Sequence, residues 1–178
     1  FNVLLSVVVP YVQLTILPYH RIVKDLKGMT PKAFIGSMNV NVELMAMPGC
    51  PGKPVEKHCF GLYVDGEWFH LKAYPDIYAK KDNVGQLDVS ILQDKVLGPV
   101  LGIEDPRTDE RICFMGGNHR LKDLAAAASE TGGAAFAMYP TSMEELMSIA
   151  DEGKLMPPKS TWFEPKLRSG LFIHKLSE

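Results

Sequence analysis

The chain has 178 residues, of which 46% are hydrophobic and 22% charged, and its formal net charge is −2. That length suits one domain with a sizeable core, and the charge disfavours a nucleic-acid partner, because nonspecific affinity for polyanions rests on an excess of lysine and arginine. Three unpatterned cysteines indicate a reducing, cytoplasmic compartment, and no run approaches the ~20 apolar residues that cross a bilayer, so no membrane partner is expected.

Strand signals dominate the beginning of the chain. The continuous apolar run at residues 3–9 predicts a central strand covered on both faces, and the alternation at residues 12–16 predicts a second strand. His20 and Arg21 follow in a predicted loop, where an isolated histidine is more often a solvated residue than a functional one. A capping threonine followed by proline predicts a short helix at residues 31–38.

The middle of the chain contains a hairpin and a helix. Residues 42–47 have a strand pattern, and residues 58–73 alternate on both sides of an Asp-Gly turn, which predicts a β-hairpin. Residues 76–86 are predicted as a mobile linker and a possible boundary between subdomains. Residues 87–97 then predict a helix, with Asp88 as its cap and a Gly-Pro pair as its end.

The second half of the chain alternates strands with helices. Strands are predicted at residues 111–115, 134–139 and 171–176, and helices at residues 119–129 and 141–153, the latter opened by the capping box Thr-Ser-Met-Glu. The prediction is therefore an α+β fold of mixed α/β layers, with a mixed sheet, three to four helices and one Asp-Gly hairpin.

A glycine pair precedes the predicted helix at residues 119–129. Free amides at a helix N-terminus bind anions, and glycine lets an oxyanion approach the backbone. Gly117, His119 and Arg120 are therefore candidate phosphate ligands. A strand-Gly-Gly-helix connection is also an ordinary way for a chain to turn, and the spacing fits neither a P-loop nor a dinucleotide motif.

The stretch MPPKSTWFEPKLRSGL at residues 156–171 has no ordinary structural explanation. Its three prolines exclude a helix, and its cations and hydroxyl groups, interleaved with apolar anchors, suit an anion site. A surface loop held by the aromatic pair Trp162-Phe163 explains the composition equally well. The candidate anion ligands are Lys159, Ser160, Thr161, Lys166 and Arg168.

A zinc site is not predicted. Cys50, His58 and Cys59 lie near one another in the chain, but a structural zinc site requires four ligands in paired short spacings. The third cysteine, Cys113, is far from this group in the sequence. No metal ligand is therefore assigned.

Four segments carry a resemblance to a known family. Residues 16–26 (ILPYHRIVKDL), 87–106, 136–146 and above all 156–176 (MPPKSTWFEPKLRSGLFIHKL) resemble the uncharacterised bacterial and archaeal "domain of unknown function ten-fifteen" family, whose members are often named ParB-like. Members are about twice this length, so the resemblance implies that residues 1–178 are a single C-terminal domain whose partner is the N-terminal half of the same protein. A chain that opens at Phe1 inside a predicted strand agrees with this expectation.

The family resemblance also implies a function. The N-terminal half of family members carries an Asp-Gly-His-His-Arg motif similar to the phosphate-binding box of the ParB/sulfiredoxin superfamily, in which some members are kinases for free serine. That motif is absent here, and its role is not transferred to Asn118-His119-Arg120. The implied activity is a phosphotransferase that uses ATP or ADP with Mg²⁺ on a small hydroxyl substrate, and this chain alone is expected to be inactive.

On this interpretation the residue roles follow from the chemistry of phosphoryl transfer. Lys159 and Arg168 stabilise the phosphate, and Ser160 and Thr161 donate hydrogen bonds to it. Glu164 acts as a base or as a Mg²⁺ partner.

His20 and Arg21 complete the same pocket, with His20 in a catalytic role. The alternative is a non-catalytic structural or interaction module, which predicts Trp162 and Phe163 as exposed anchors on a flat face. DNA binding is the weakest interpretation, since no basic recognition helix is predicted.

Overall fold

The computed structural model describes residues 6–41, 44–48, 52–168 and 170. Short 3-10 turns lie at Tyr11–Gln13 and Pro75–Ile77, and a π-helical turn at Gln93–Leu97 continues the second helix. The strands and α-helices are, in chain order, β1 (Thr15–Leu17), β2 (Tyr19–Val23), α1 (Pro31–Asn41), β3 (Leu44–Pro48), β4 (Cys59–Val64), β5 (Glu67–Ala73), α2 (Asp88–Leu92), β6 (Ile112–Gly116), α3 (Leu121–Thr131), β7 (Ala134–Ala137), α4 (Met143–Asp151) and β8 (Trp162–Glu164).

The strands form a six-stranded sheet and a separate pair. The order of the large sheet is β3-β5-β4-β7-β2-β6, and β1 pairs with β8. Every described pair is antiparallel, where the sequence predicted a mixed sheet. The predicted α+β class is confirmed, and the described residues form four α-helices, within the predicted three to four.

The predicted β-hairpin is formed by β4 and β5. Asp65 and Gly66 make the turn with φ angles of 53° and 83°, both in the left-handed region that a two-residue hairpin turn requires. Tyr63 pairs with Trp68 across the strands, and their ring centroids are 5.3 Å apart. This cross-strand pair agrees with the predicted structural role of the aromatic residues.

Side chains alternate between the two faces of the sheet, and each face has its own core. Along β2, Val23 joins the larger core, which includes Phe34 of α1 and Leu92 of α2. Ile22 joins a smaller core, which includes Leu124 of α3. Because successive strand residues point to opposite faces, the α3 face and the α1–α2 face present different residues of the same strand.

The predicted central strand at residues 3–9 is wrong for its described part. Residues 6–9 are exposed and form no strand, with Val8 at 93% exposure; residues 1–5 lie outside the described residues. The predicted strand at residues 12–16 begins only at Thr15. β2 is an interior strand beside the edge strand β6, because β6 and β7 pair with its two edges. An apolar run becomes a core strand only where other elements cover it.

Residues 76–86, predicted as a mobile linker, fold into turns that pack on the core. Ile77 is buried, and the carbonyl of Val84 accepts a hydrogen bond from Ser90 Oγ at 2.6 Å. Lys154 Nζ lies 3.0 Å from Asp82 Oδ2. This connection is therefore tied to both α2 and the end of α4.

Asp88 does not cap α2 as predicted, because Leu87 is the N-cap residue. The buried Asp88 carboxylate instead accepts hydrogen bonds from the backbone N–H of His58 at 2.9 Å and from its ring Nδ1 at 3.0 Å. Burial raises the pKa of Asp88, and the bonds from His58 oppose that rise. The His58 ring stacks on Tyr78 at 3.6 Å.

The predicted capping box of α4 is present one residue later than expected. Ser142 is the N-cap and accepts from the Glu145 N–H, while the Glu145 side chain accepts from the Ser142 N–H. Thr141 instead donates to the carbonyl of Ser160. The predicted strand at residues 171–176 lies outside the described residues. In the part of the chain that the structure describes, no helix has the length and hydropathy to cross a bilayer.

Candidate functional site

A cavity of about 860 Å³ opens on the α3 face of the sheet. Its walls come from the β1–β2 connection, the loop before β4, the turn into α3 and the residues after β7. The lining residues are Leu17, Pro18, His20, Lys53, Pro54, Val55, Gly117, His119, Arg120, Leu121, Met138, Tyr139 and Pro140. Among these described lining residues none is acidic, and four are basic. The cavity therefore combines apolar walls with groups that attract an anion.

His20 is the most deeply buried basic residue of this cavity. It is 5% exposed, and its Nδ1 accepts the Met138 backbone N–H at 3.0 Å. Burial, with smaller contributions from Arg21 and His119, lowers the pKa of His20 to about 4. The ring is therefore neutral at pH 7 and, since Nδ1 accepts, its proton lies on Nε2 as a hydrogen-bond donor. The predicted solvated loop position is wrong.

Gly117 allows the chain to pass close to the β1–β2 connection. A Cβ at Gly117 would lie 2.5 Å from Cδ and 2.7 Å from the carbonyl oxygen of Pro18, so any larger residue would clash. The chain then enters α3, whose N-cap is Arg120. Gly117, His119 and Arg120, which the sequence singled out together, therefore line one cavity with His20.

The N-terminus of α3 contributes backbone donors next to the cavity. The amides of Leu121 and Lys122, in the first turn, have no acceptor among the described residues, as is usual at a helix start. Asp123 Oδ2 accepts the Arg120 N–H at 3.0 Å, and this bond is the main reason that the pKa of Asp123 is lowered. The helix end thus offers amides to an anion, but its own carboxylate already satisfies one of them.

Lys159, Ser160 and Thr161 do not line this cavity. Lys159 Nζ lies 5.4 Å from the centre of the Tyr19 ring. Ser160 is buried, and its Oγ donates to the Pro157 carbonyl at 2.5 Å. Thr161 is half-buried. In the described structure Lys159 therefore contacts the Tyr19 ring, and the Ser160 hydroxyl is hydrogen-bonded to the backbone.

Glu164, Lys166 and Arg168 also lie outside the cavity lining. Glu164 Oε1 accepts from Trp162 Nε1 at 2.7 Å, and Lys166 Nζ lies 4.5 Å from the Trp162 ring centre. Arg168 is exposed. The Trp162 ring also meets Tyr19 at 5.3 Å, so it is a half-buried packing residue and not an exposed anchor.

Arg21 faces the opposite side of the sheet from His20. It is 4% exposed, and its guanidinium donates to the carbonyl of Tyr19 and, at 3.0 Å, to that of Lys159. Burial lowers the pKa of Arg21 to about 10, although Tyr19 opposes the shift. Arg21 lines a second cavity of about 330 Å³. The structure therefore separates the predicted site residues between two faces.

The first half of the chain matches a family model described as "Protein of unknown function (DUF1015)", over residues 1–90. The chain belongs to the DUF1015 family. The matched residues include the segment 16–26, which contains β2. Two of the other resembling segments, 136–146 and 156–176, lie outside the match.

Solved structures show the same fold at low sequence identity. A conserved hypothetical protein from Pyrococcus furiosus has a TM-score of 0.53 and 13% identity, over 89% of this chain and 60% of that one. A free serine kinase in complex with AMP has a TM-score of 0.51 and 14% identity, over 89% of this chain and 58% of that one. This chain thus spans about three fifths of their length. No curated protein matches it.

Two polar cavity residues of this DUF1015 chain were not predicted from the sequence. Lys53 comes from a loop whose proline and glycine content predicts only a surface connection. Tyr139 follows the end of β7. The position of Tyr139 after a core strand is a usable signal, because functional loops often begin there. For Lys53 no sequence signal is evident. The described residues contain no group of three His, Cys, Asp or Glu side chains placed to hold a metal ion.

Proposed function

We propose that the 860 Å³ cavity binds the phosphate of a nucleotide, and that the full-length protein is a phosphotransferase acting on a small hydroxyl metabolite. The observation that supports this most directly is the lining: four basic residues and apolar walls, with no carboxylate among the described lining residues. Such a cavity suits a ligand that has a negatively charged group at one end and an apolar or aromatic remainder.

Each basic residue has a distinct part in this proposal. Arg120 and His119, at the start of α3, neutralise phosphate oxygens together with the helix amides. Lys53 adds a cation from the facing loop. His20, being neutral, donates a hydrogen bond from Nε2 and does not repel the other cations. Positioning and charge neutralisation are the main requirements of phosphoryl transfer.

The solved structures support the choice of ligand to test. Free serine kinase, whose fold is similar, was determined in complex with AMP, and a mutant of it in complex with ADP. We therefore propose ATP or ADP as the nucleotide and free serine as the first acceptor to test.

Mg²⁺ does not fit the described lining by itself. Magnesium prefers oxygen ligands, carboxylates above all, and no described lining residue is acidic. Glu164, predicted as a base or Mg²⁺ partner, is held by Trp162 outside the cavity. We therefore propose that the base and the metal ligands lie in the remainder of the full-length protein. This chain alone is expected to bind the nucleotide without transferring phosphate.

The test is calorimetric titration of the full-length protein, and of this chain separately, with ATP, ADP and pyrophosphate in the presence of Mg²⁺. Arg120→Ala is expected to weaken nucleotide binding by about tenfold or more, which corresponds to about 1.4 kcal/mol. Lys159→Ala is the matched control, since Lys159 is a cation outside the cavity.

Two results would contradict the proposal. One is the absence of binding at millimolar nucleotide by the full-length protein. The other is loss of binding in Lys159→Ala but not in Arg120→Ala. Phosphate transfer to free serine, measured on the full-length protein, then tests the acceptor.

A further inference from the structure

The buried guanidinium of Arg21 has no carboxylate partner among the described residues. Its contacts are the carbonyls of Tyr19 and Lys159 and the ring of Phe114, whose centre lies 5.5 Å from Cζ. A guanidinium has five N–H donors, and these contacts use only part of them. A buried charge without a counterion is costly. The site is therefore suited to an anion that the described residues do not supply.

The 330 Å³ cavity next to Arg21 has two features that are frequent at functional sites. Gln93 and Leu97 line it, and they begin and end the π-helical turn; such turns occur often at binding sites. Lys159, whose carbonyl binds Arg21, has a φ of 58°, a left-handed conformation that is strained for a residue other than glycine. The π-helical turn thus lines the cavity next to Arg21, and the strained Lys159 is hydrogen-bonded to Arg21 itself.

The other charges of this cavity restrict the ligand. Arg107 and Asp105 pair through several hydrogen bonds of 2.8–3.2 Å and neutralise each other. Glu104, which is exposed, lines the cavity and has no cationic partner among the described residues. One buried cation and one unpaired acid thus remain. A polyanion such as a nucleotide would meet repulsion from the acid, whereas a ligand with one charge of each sign would not.

We propose that this second cavity binds a small zwitterion of the α-amino-acid class, with its carboxylate on Arg21 and its ammonium group on Glu104. Arg21 and His20 are adjacent in β2 and point to opposite faces of the sheet, so the ligand lies across the sheet from the proposed nucleotide cavity. On the proposed function it is therefore an effector and not the phosphoryl acceptor. The binding of the zwitterion to Arg21 and Glu104 does not depend on the proposed function, and only its role as an effector rests on it.

The experiment is a ¹⁵N NMR titration of this chain with L-alanine and L-leucine, each compared with its des-amino acid, propionate and 4-methylpentanoate. Inorganic phosphate is the anion control. Shifts of the amides around the second cavity are expected with both amino acids, at an affinity at least fivefold higher than for the des-amino acids, and phosphate is expected not to bind there.

Two variants separate the contributions of the two charges. Arg21→Gln is expected to abolish binding of every carboxylate. Glu104→Gln, at an exposed position that tolerates substitution, is expected to remove the preference for the amino acid over its des-amino analogue. Arg120→Ala, in the other cavity, is the control and is expected to bind as the wild type does.

Three outcomes would overturn the proposal. They are absence of shifts with both amino acids, equal affinity for the amino acids and their des-amino analogues in the wild type, and unchanged selectivity in Glu104→Gln. If Arg21→Gln fails to fold, the comparison between the wild type and Glu104→Gln still decides.

Discussion

His20 and Arg21 are neighbours in the chain, but β2 places their side chains on opposite faces of the sheet. Both are almost fully buried, and burial lowers the pKa of each. The consequences differ, because His20 becomes neutral at pH 7 while Arg21, with a pKa of about 10, stays charged. One residue is thus a hydrogen-bond donor in a basic cavity, and the other is a buried cation without a carboxylate partner among the described residues.

The lowered pKa of His20 predicts a dependence of stability on pH. Between its ordinary pKa of 6.5 and about 4, the unfolded chain binds a proton that the folded chain does not. The contribution of the neutral His20 to the free energy of unfolding is therefore fully present above pH 6.5. It decreases as the pH falls to about 4, by up to about 3 kcal/mol. Urea unfolding of the wild type and of His20→Gln, each at pH 7 and pH 4.5, measures this loss. The wild type is expected to lose more stability between the two pH values than His20→Gln does.

The exposed His119→Gln variant is the control and is expected to keep most of the wild-type slope, since it leaves the burial of His20, the main cause of its lowered pKa, unchanged and removes only a smaller contribution. Equal pH dependence in the wild type and His20→Gln would contradict the assignment of a buried neutral histidine.

At the scale of elements, glycines decide how closely the chain segments approach. Gly133 lies between α3 and β7, where a Cβ would be 1.9 Å from the carbonyl oxygen of Val23 in β2. Gly116 ends β6, where a Cβ would be 2.5 Å from the Trp162 ring. These contacts bring α3 and the β8 segment against the sheet, and so they help to position the walls of both cavities.

Gly133→Ala is therefore expected to destabilise the protein by about 3 kcal/mol, because the obstructing atom is backbone and cannot move aside. Gly36→Ala is the matched control: Gly36 is exposed in α1, and nothing lies within 4 Å of its Cβ position. It should stabilise the protein by up to about 1 kcal/mol, since alanine is the better helix former. Chemical denaturation measures both, and a neutral Gly133→Ala would show that β2 and β7 can separate.

At the scale of the whole molecule, β1 and β8 bring distant parts of the chain together. Leu17 pairs with Trp162 across this small sheet, and Trp162 also packs against Tyr19 of β2. Arg21 adds a hydrogen bond to Lys159. The segment at residues 156–168 thus packs against β1, β2 and β6, and its Pro157 and Pro158 line the second cavity.

Trp162→Ala is expected to cost about 2 kcal/mol of stability, because it removes a half-buried indole and its contacts with Tyr19 and Lys166. Leu167→Ala is the control within the same segment: Leu167 is 73% exposed, and its loss should change stability by less than about 0.5 kcal/mol. Thermal unfolding compares the two variants. Similar small effects would show that the segment is not anchored by Trp162.

The candidate site was only partly predictable from the sequence. The glycine turn before α3 identified Gly117, His119 and Arg120 together, because a strand-glycine-helix connection has a local signature. Lys53 was missed, because a single lysine in a proline-rich loop has none. The segment at residues 156–168 has the composition of an anion site, yet several of its polar groups form hydrogen bonds with one another. These bonds depend on how the segment folds, which its composition does not reveal.

The sequence by itself determined the local features: the Asp-Gly hairpin, the Thr30 helix start, the capping box of α4 to within one residue, and the α+β class. Turn chemistry and capping depend on a few neighbouring residues, so they can be read from the chain. Only the tertiary structure decided that β2 is an interior strand, that His20 is buried and neutral, and that Arg21 lies on the other face. These properties depend on strand order, and strand order is set by contacts between residues far apart in the sequence.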